Sequence, residues 1–476
     1  MQPTRTSGGL LRRLFQDIVP STVPSLDPDF LPPVLVLDRY RQELERCGGG
    51  EPLVIALERE GGLVSRYEMA VVSPERPGFA VSLSLAERIL KFLLWSRGGA
   101  RAYVAGPASI CGHLRDVYSP AGERRFDVEL MGRVYEGPFE VRPVSVDDVP
   151  AARAMTGSLG GHLDGCRIGF DLGASDYKLA AVIDGEPVFT EEIPWNPKDQ
   201  PDPAYHRDRI QSGLELAASH LPRVDAIGGS SAGIYIDNRV LVASLFRSVP
   251  EDVFAGEVKS MFHDLQKNWG VPLQVVNDGD VTALAGTLSL EKEGMLGIAM
   301  GSSEAAGFLN KEGHLAGWLN ELAFGPVDFS PRAVADEWSG DTGVGAMYFS
   351  QQAVNRLAPA AGMAFPAETS LPERLVLVQE QADRGDEGAG RIFSSIGAYL
   401  GYTIPWYSEF YDFDDLLILG RVTSGRGGEI LLSTAKEVLK NDFPEVAERI
   451  ALHVPDEKSR RVGQAVAAAS LPELSA

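Results

Sequence analysis

The sequence predicts an α/β protein built on open sheets, with its chemistry gathered at strand ends and tight turns. Three stretches predict it. Ile168 to Lys178 opens as an apolar strand, turns over Asp171, Gly173 and Ser175, and re-enters an apolar run that ends at Asp184-Gly185. Leu273 to Val276 is a short strand that stops abruptly at Asn277-Asp278-Gly279. Gly297 to Met300 is another, running into Gly301-Ser302-Ser303. Open α/β sheets bind ligands in the crevice at such ends. Taken alone, Ile168 to Lys178 reads equally well as an ordinary surface hairpin, because short glycine-containing motifs recur by chance.

Composition narrows the class. The 476 residues are enough for two or three domains, and 44% hydrophobic with 23% charged residues is ordinary for a globular chain. Lys+Arg 44 against Asp+Glu 66 leaves a formal net charge of −22, which argues against a nucleic-acid or anionic-membrane surface. No apolar run approaches the length of a spanning helix; Lys91 interrupts the rich stretch Ile89 to Trp95. Arg5, Arg12 and Arg13 are not followed by an apolar core and cleavage site. Cys47, Cys111 and Cys166 are odd in number, far apart and without metal spacing. A cytoplasmic location is expected.

In chain order, residues 1–33 are rich in Pro, Ser and Thr and read as a tail or an arm over another surface. Residues 34–160 follow as an N-terminal α/β region. A strand is expected over Val34 to Leu37 and a helix over Arg39 to Arg46. Strands follow at Leu53 to Glu58, Leu63 to Val72 and Phe79 to Ser82, then a helix over Leu85 to Trp95 and a strand over Ala102 to Ala105. The same order, strand, strand, strand, helix, strand, recurs from Ile168 to Gly228, so the region reads as a degenerate duplicate or as an accidental likeness. A first lobe is expected over 161–290 and a second over 291–476. The second is expected to be helical over Glu337 to Leu357, Leu371 to Asp383 and Glu387 to Tyr407, with a strand over Leu416 to Leu419. Its last helix, about 458–470, is expected to close back on the first lobe. Two phosphate-facing turns and one isolated carboxylate are what phosphoryl transfer to a hydroxyl needs: backbone donors and a metal hold the phosphates, and one Asp takes the proton.

The order of motifs resembles the ROK family of sugar kinases and sugar-responsive regulators, within the two-lobed actin-like ATPase (ribonuclease H-like) fold. The resemblance runs from about Ile168 to the C-terminus. Ile168 to Lys178 is similar to the first phosphate motif, Ile227 to Gly233 to the glycine-rich strand and loop, and Val275 to Leu284 to the catalytic strand and helix. Gly301 to Gly317 resembles the second phosphate loop; Ala382 to Ala389, Gly397 to Gly401 and Leu416 to Gly425 resemble the family's helices and adenosine-side strand. The resemblance implies an ATP- and Mg²⁺-dependent kinase acting on a hydroxyl of a sugar, sugar derivative or polyol. It implies Asp278 as general base, Asn277, Glu321 and Gly233 at the substrate, and Asp171 near Mg²⁺. Gly173, Ser175, Gly301 and Ser302 would cradle phosphates, with Gly420 near the adenosine. No nucleic acid or membrane partner is implied, and a homodimer is left open.

The departures matter as much. Where the family has Gly-Glu-x-Gly-His, this chain reads Asn320-Glu321-Leu322-Ala323-Phe324. Its zinc segment lines up with Ser339 to Ala346, with Ser339 and Val344 at cysteine positions and Ala346 at a sugar-contacting Glu. Structural zinc is not expected. Asp176 and Glu304 put carboxylates into the two phosphate loops, where like charge would oppose a bare triphosphate. A non-catalytic sugar-binding or regulatory protein on the same fold is therefore the competing reading. Among single residues, Asp280 reads as the cap of the helix that follows, Asn277 as a substrate contact or a turn residue, Glu321 as a hydroxyl acceptor or a solvated helix charge, and Lys178 as outward-facing.

Overall fold

The computed structural model describes residues 18–46, 48–155, 159–454 and 457–474. Arg5, Arg12, Arg13 and Cys47 lie outside them.

The N-terminal unit begins with helix α1 (Pro33–Arg46), not with a strand over Val34 to Leu37. Pro33 sits in the first turn, where no N–H is needed, and Val34, Leu37, Tyr40 and Leu44 supply a helical buried face. Strands β1 (Glu51–Glu58) and β2 (Val64–Val71) form an antiparallel hairpin. Phe79–Arg97 is one helix, α2, so Phe79 to Ser82 is its first turns and not a third strand. It is buried on most sides after Leu85 because it is sandwiched between this sheet and the second lobe. Strands β3 (Arg101–Ala105) and β4 (Glu140–Pro143) complete a sheet of order β2-β1-β3-β4.

The first lobe carries β5 (Cys166–Leu172), β6 (Asp176–Ile183), β7 (Glu186–Pro194), β8 (Ala226–Ser231), a small ribbon of β9 (Ile234–Ile236) and β10 (Arg239–Val242), and β11 (Leu273–Asn277). Its main sheet has the order β11-β8-β5-β6-β7. β8 and β11 run parallel to β5, and the β5–β6–β7 meander is antiparallel. In the N-terminal unit β3 runs antiparallel to β1. The N-terminal unit thus lacks both the third strand and the strand direction of the first lobe, so the expected repeat of elements does not hold.

Helix α3 (Asp278–Leu290) leads into the second lobe, β12 (Met295–Met300), β13 (Glu304–Leu309), β14 (Asp415–Leu419) and β15 (Ala451–His453), in the order β13-β12-β14-β15. The helix expected over Glu337 to Leu357 is instead irregular chain followed by a short helix, Gln351–Leu357. Gly340 and Gly343 take left-handed φ of 70° and 71°, which breaks any helix there. Leu371–Asp383 and helix α4 (Glu387–Ser408) follow, α4 being buried along almost its whole length. Helix α5 (Glu457–Ala469) returns to pack on β5, β6 and β8.

One core runs through both the N-terminal unit and the second lobe, joining Leu37, Ile55, Phe92 and Trp95 to Ile298, Phe324, Tyr399 and Trp406. The first lobe has its own, around Phe170, Ile227, Phe262 and Val275. The arm follows the same division: Asp27 accepts hydrogen bonds from Arg356 and Tyr399, and Phe30 packs on Tyr348 and Tyr399, all in the second lobe. No described helix is long and apolar enough to cross a membrane.

Candidate functional site

Asp171 lies near the carboxyl end of β5 and is 5% exposed. Lys178 is its partner across the hairpin, and Lys178 Nζ donates to Asp171 Oδ2 at 3.0 Å. Ser230, its neighbour on β8, donates from Oγ to Oδ1 at 2.7 Å. Lys178 therefore points inward at the site, and its ammonium also lies 3.8 Å from Asp176. Burial opposes its charge, but the carboxylates of Asp171, Asp176 and Glu192 together outweigh that and raise its pKa. The turn between the strands exposes Ser175, whose Oγ donates to Asp176 Oδ2, while the Gly173 carbonyl accepts from Trp195 Nε1.

Two strands away, β11 ends at Asn277. Its Oδ1 accepts from Gly279 N at 2.7 Å, making Asn277 the cap of α3; Asp280 is not the cap. Asn277 Nδ2 donates to Gly233 O at 2.7 Å, which ties the strand end to the turn before β9. One N–H and one lone pair of the amide are left for a ligand. Asp278 follows, with part of its residue surface still open. Burial and then the charge of Asp171 push its carboxyl up to about 6, against a smaller opposing effect of Lys178. Tyr235, whose hydroxyl shares a 2.6 Å hydrogen bond with Ser231 Oγ, is a further neighbour of Asp278.

A close crossing links this lobe to the next. A Cβ on Gly279 would strike the backbone of Ala306, and one on Gly307 the backbone of Gly279. Only paired glycines let α3 begin directly on β13, just beyond the Gly301–Ser303 turn. Ser302 and Ser303 are exposed there, whereas the Gly301 N–H is spent on Ser303 O. Gly420 follows β14 beside β12, with φ 102° and its Cα against Met300. Gly301 and Gly420 thus lie together at one end of the second sheet.

Glu304 does not face this turn. It is 4% exposed, Tyr407 OH donates to its Oε1 at 3.2 Å, and burial raises its carboxyl to about 8. The alternation of β13 turns its side chain into the lobe, so it does not oppose a triphosphate.

Glu321 is not on a helix. It precedes a short 3₁₀ turn and is held by the N-terminal unit: Leu319, Asn320 and Glu321 donate their N–H groups to the carbonyls of Arg97, Ser96 and Trp95 at the end of α2. Burial, then the charges of Asp278 and Asp280, raise the Glu321 carboxyl to about 8. Asn320 Nδ2 donates to Asp280 Oδ1 at 2.9 Å, and burial raises Asp280 to about 7. Asp171, Asp278, Asp280 and Glu321 form a chain of interacting carboxylates.

The segment aligned with the family's zinc motif is held differently. Phe324 packs on Trp95, Phe126 and Trp338. Asp341 receives Arg88, Lys91 and Arg124, with Lys91 also on Asp127 and Arg124 on Glu87. Among the described residues no group of three or more His, Cys, Asp or Glu could hold a metal ion. Sequence reasoning missed this cluster because its members lie about 250 residues apart. The Asp171–Lys178 pair was missed as well: Lys178 was expected to face outward, and only the cross-strand register of the hairpin turns it toward Asp171.

A first sheet of order β11-β8-β5-β6-β7, a second with parallel β12 and β14, and strand ends gathered beside α3 define the two-lobed actin-like class. Within it, the chain is similar to a solved ROK family transcriptional regulator, a homolog of the E. coli MLC protein (20% identity, 65% of this chain and 79% of that one, TM-score 0.53). It is also similar to the ROK hexokinase from Thermus thermophilus (17% identity, 64% and 97%, TM-score 0.50). The fold is that of ROK family proteins. No protein-family model and no curated protein matches the chain in sequence.

Proposed function

We propose that the chain is an ATP-dependent phosphotransferase acting on a hydroxyl of a sugar, sugar derivative or polyol. The observation that carries it is Asp278: a partly open carboxylate at a strand end, desolvated toward a pKa of about 6, next to Asp171 and one residue before the Gly279–Ala306 crossing into the second lobe. A general base works best when its pKa lies near the working pH. Above about pH 6 Asp278 is ionised and accepts the proton of the attacking hydroxyl. Glu321, raised to about 8, holds its proton at neutral pH, so it donates a hydrogen bond to a substrate oxygen and does not accept one. Asn277 and Gly233 set the wall beside it through their shared hydrogen bond.

The residues fit a nucleotide and an outer-sphere metal. Exposed Ser175 and Ser302 offer hydroxyls, and a Cβ on Gly301 would meet nothing nearer than Ser303 O at 3.5 Å, while Gly173 and Gly420 pass close to the backbone of Asp176 and Met300. Each Asp171 oxygen keeps a lone pair for a metal-bound water, but the Lys178 ammonium beside it disfavours direct ligation. ATP with Mg²⁺ would supply the phosphoryl group.

The same Lys178 favours a second reading, a non-catalytic sugar-binding protein, because a built-in cation already neutralises Asp171. A panel of sugars, amino sugars and cyclitols incubated with ATP–Mg²⁺ separates the two. Product from at least one supports the kinase; sugar binding without product or ATP binding supports the sensor.

A further inference from the structure

Five Arg or Lys side chains among the described residues are more than nine-tenths buried: Arg59, Lys91, Arg97, Arg124 and Arg167. Lys91, Arg124 and Arg167 have carboxylates at 2.5–2.9 Å, from Asp127, Glu87 and Asp164. Arg59 and Arg97, 6% and 8% exposed, pair with none of the described carboxylates. They are also close enough that Arg59 acts electrostatically on Arg97. Taking one cation out of water without a counter-charge is strongly unfavourable, and placing two together adds repulsion. Burial lowers the pKa of both, Arg97 to about 10, yet both remain charged at neutral pH.

Their protein contacts do not use up their donors. Arg59 Nη1 donates to Gly317 O and Arg97 Nη2 to Phe410 O. Arg59 Nε and Arg97 Nη1 are buried with no hydrogen-bond partner among the described residues. Arg97 stacks on Trp318, 3.4 Å from the ring centroid, but stacking uses the face of the guanidinium and leaves its in-plane N–H groups free. The location is specific as well. Both arginines grip the Gly317-Trp318-Leu319 segment that continues into Asn320-Glu321. Glu60, next to Arg59, binds Arg239 of β10 in the first lobe. The pair therefore sits where the N-terminal unit, the second lobe and the β9–β10 ribbon meet.

We propose that Arg59 and Arg97 form an anion subsite that takes the carboxylate or phosphate of a bound small molecule. Guanidinium is suited to both groups, since its rigid donors match paired oxygens. Binding rests on the arginines alone. That the anion belongs to the acceptor, making it a sugar acid or a sugar phosphate, rests on the kinase reading above.

Calorimetric titration of the full chain without nucleotide tests it, with inorganic phosphate, D-gluconate, D-glucose 6-phosphate and neutral D-glucose as probes. At least one organic anion is expected to bind on the order of tenfold or more tighter than glucose, with phosphate competing. Gluconate against glucose 6-phosphate tells carboxylate from phosphate. Arg59→Met should lose that preference while its ligand-free melting temperature holds or rises, and Arg59→Lys should keep part of it. The proposal is overturned if the wild type prefers glucose or binds no anion, which is decisive even if Arg59→Met does not fold. It is also overturned if Arg59→Met keeps the anion preference. Phosphorylation of a neutral sugar without anion binding would sink the subsite and leave the kinase standing; anion binding without phosphoryl transfer would do the reverse.

Discussion

Lys178 Nζ lies 3.0 Å from Asp171 Oδ2, while Ser230 holds the other oxygen at 2.7 Å. The same ammonium lowers the pKa of Asp278, which Asp171 raises. Lys178→Met removes the opposing cation from a site of several carboxylates. The acid limb of the pH–rate profile should then move to higher pH, and Asp171, left with a buried and unpaired charge, should lower stability by about 3 kcal/mol. An unmoved limb in the pH profile would separate Lys178 from Asp278.

Asp278→Asn is expected to leave the fold and nucleotide binding nearly intact, because the amide keeps the shape. Turnover should fall by on the order of 100-fold or more, since an amide accepts no proton. In the wild type, kcat should drop as pH falls below about 6, the range to which burial and Asp171 bring this carboxyl. Steady-state kinetics of both proteins between pH 5 and pH 8 (roughly one pH unit below to two above that value) check both statements.

The cluster at Asp341 contains the cations Arg88, Lys91 and Arg124 and the carboxylates Glu87, Asp127 and Asp341. It balances. Asp341→Asn leaves one cation in excess in the interior and should cost about 3–5 kcal/mol in urea unfolding. The cations hold the Asp341 carboxyl far below the usual range. Its contribution is therefore present above about pH 4 and lost only as pH falls below that, a limb the variant should lack. Elemental analysis of protein purified without chelator should show no stoichiometric zinc.

Glu304 titrates the opposite way. Its carboxyl is raised to about 8 by burial, so the folded state holds a proton that the unfolded chain releases near pH 4 (roughly the unperturbed Glu value). Its stability contribution is complete below that pH and is lost as pH rises toward 8. Melting temperatures taken from pH 5 to pH 9 (from about one unit inside the lower end of that window to about one unit beyond the upper) should fall less for Glu304→Gln than for the wild type. Equal slopes would place the titration elsewhere.

Much of the fold was legible from local pattern. Alternation over Ile168 to Ile183, the abrupt strand end at Asn277 and the glycine spacing around Gly301 and Gly420 each depend on neighbours a few residues away, where backbone geometry is decided. So was the set of strand ends that carries Asp171 and Asp278. Local pattern failed where the apolar run was short. Val34 to Leu37 and Phe79 to Ser82 are apolar enough for strands but are turns of helices, and four residues are too few to show the period that distinguishes the two. Which way a charge points was likewise a tertiary decision. Glu304 turned into the core, Lys178 toward Asp171, and Arg59 and Arg97 into an interior with no described carboxylate. Sequence names a charged residue, but its partner is set by the three-dimensional path of distant segments, and in a low-dielectric interior that partner determines what the charge does.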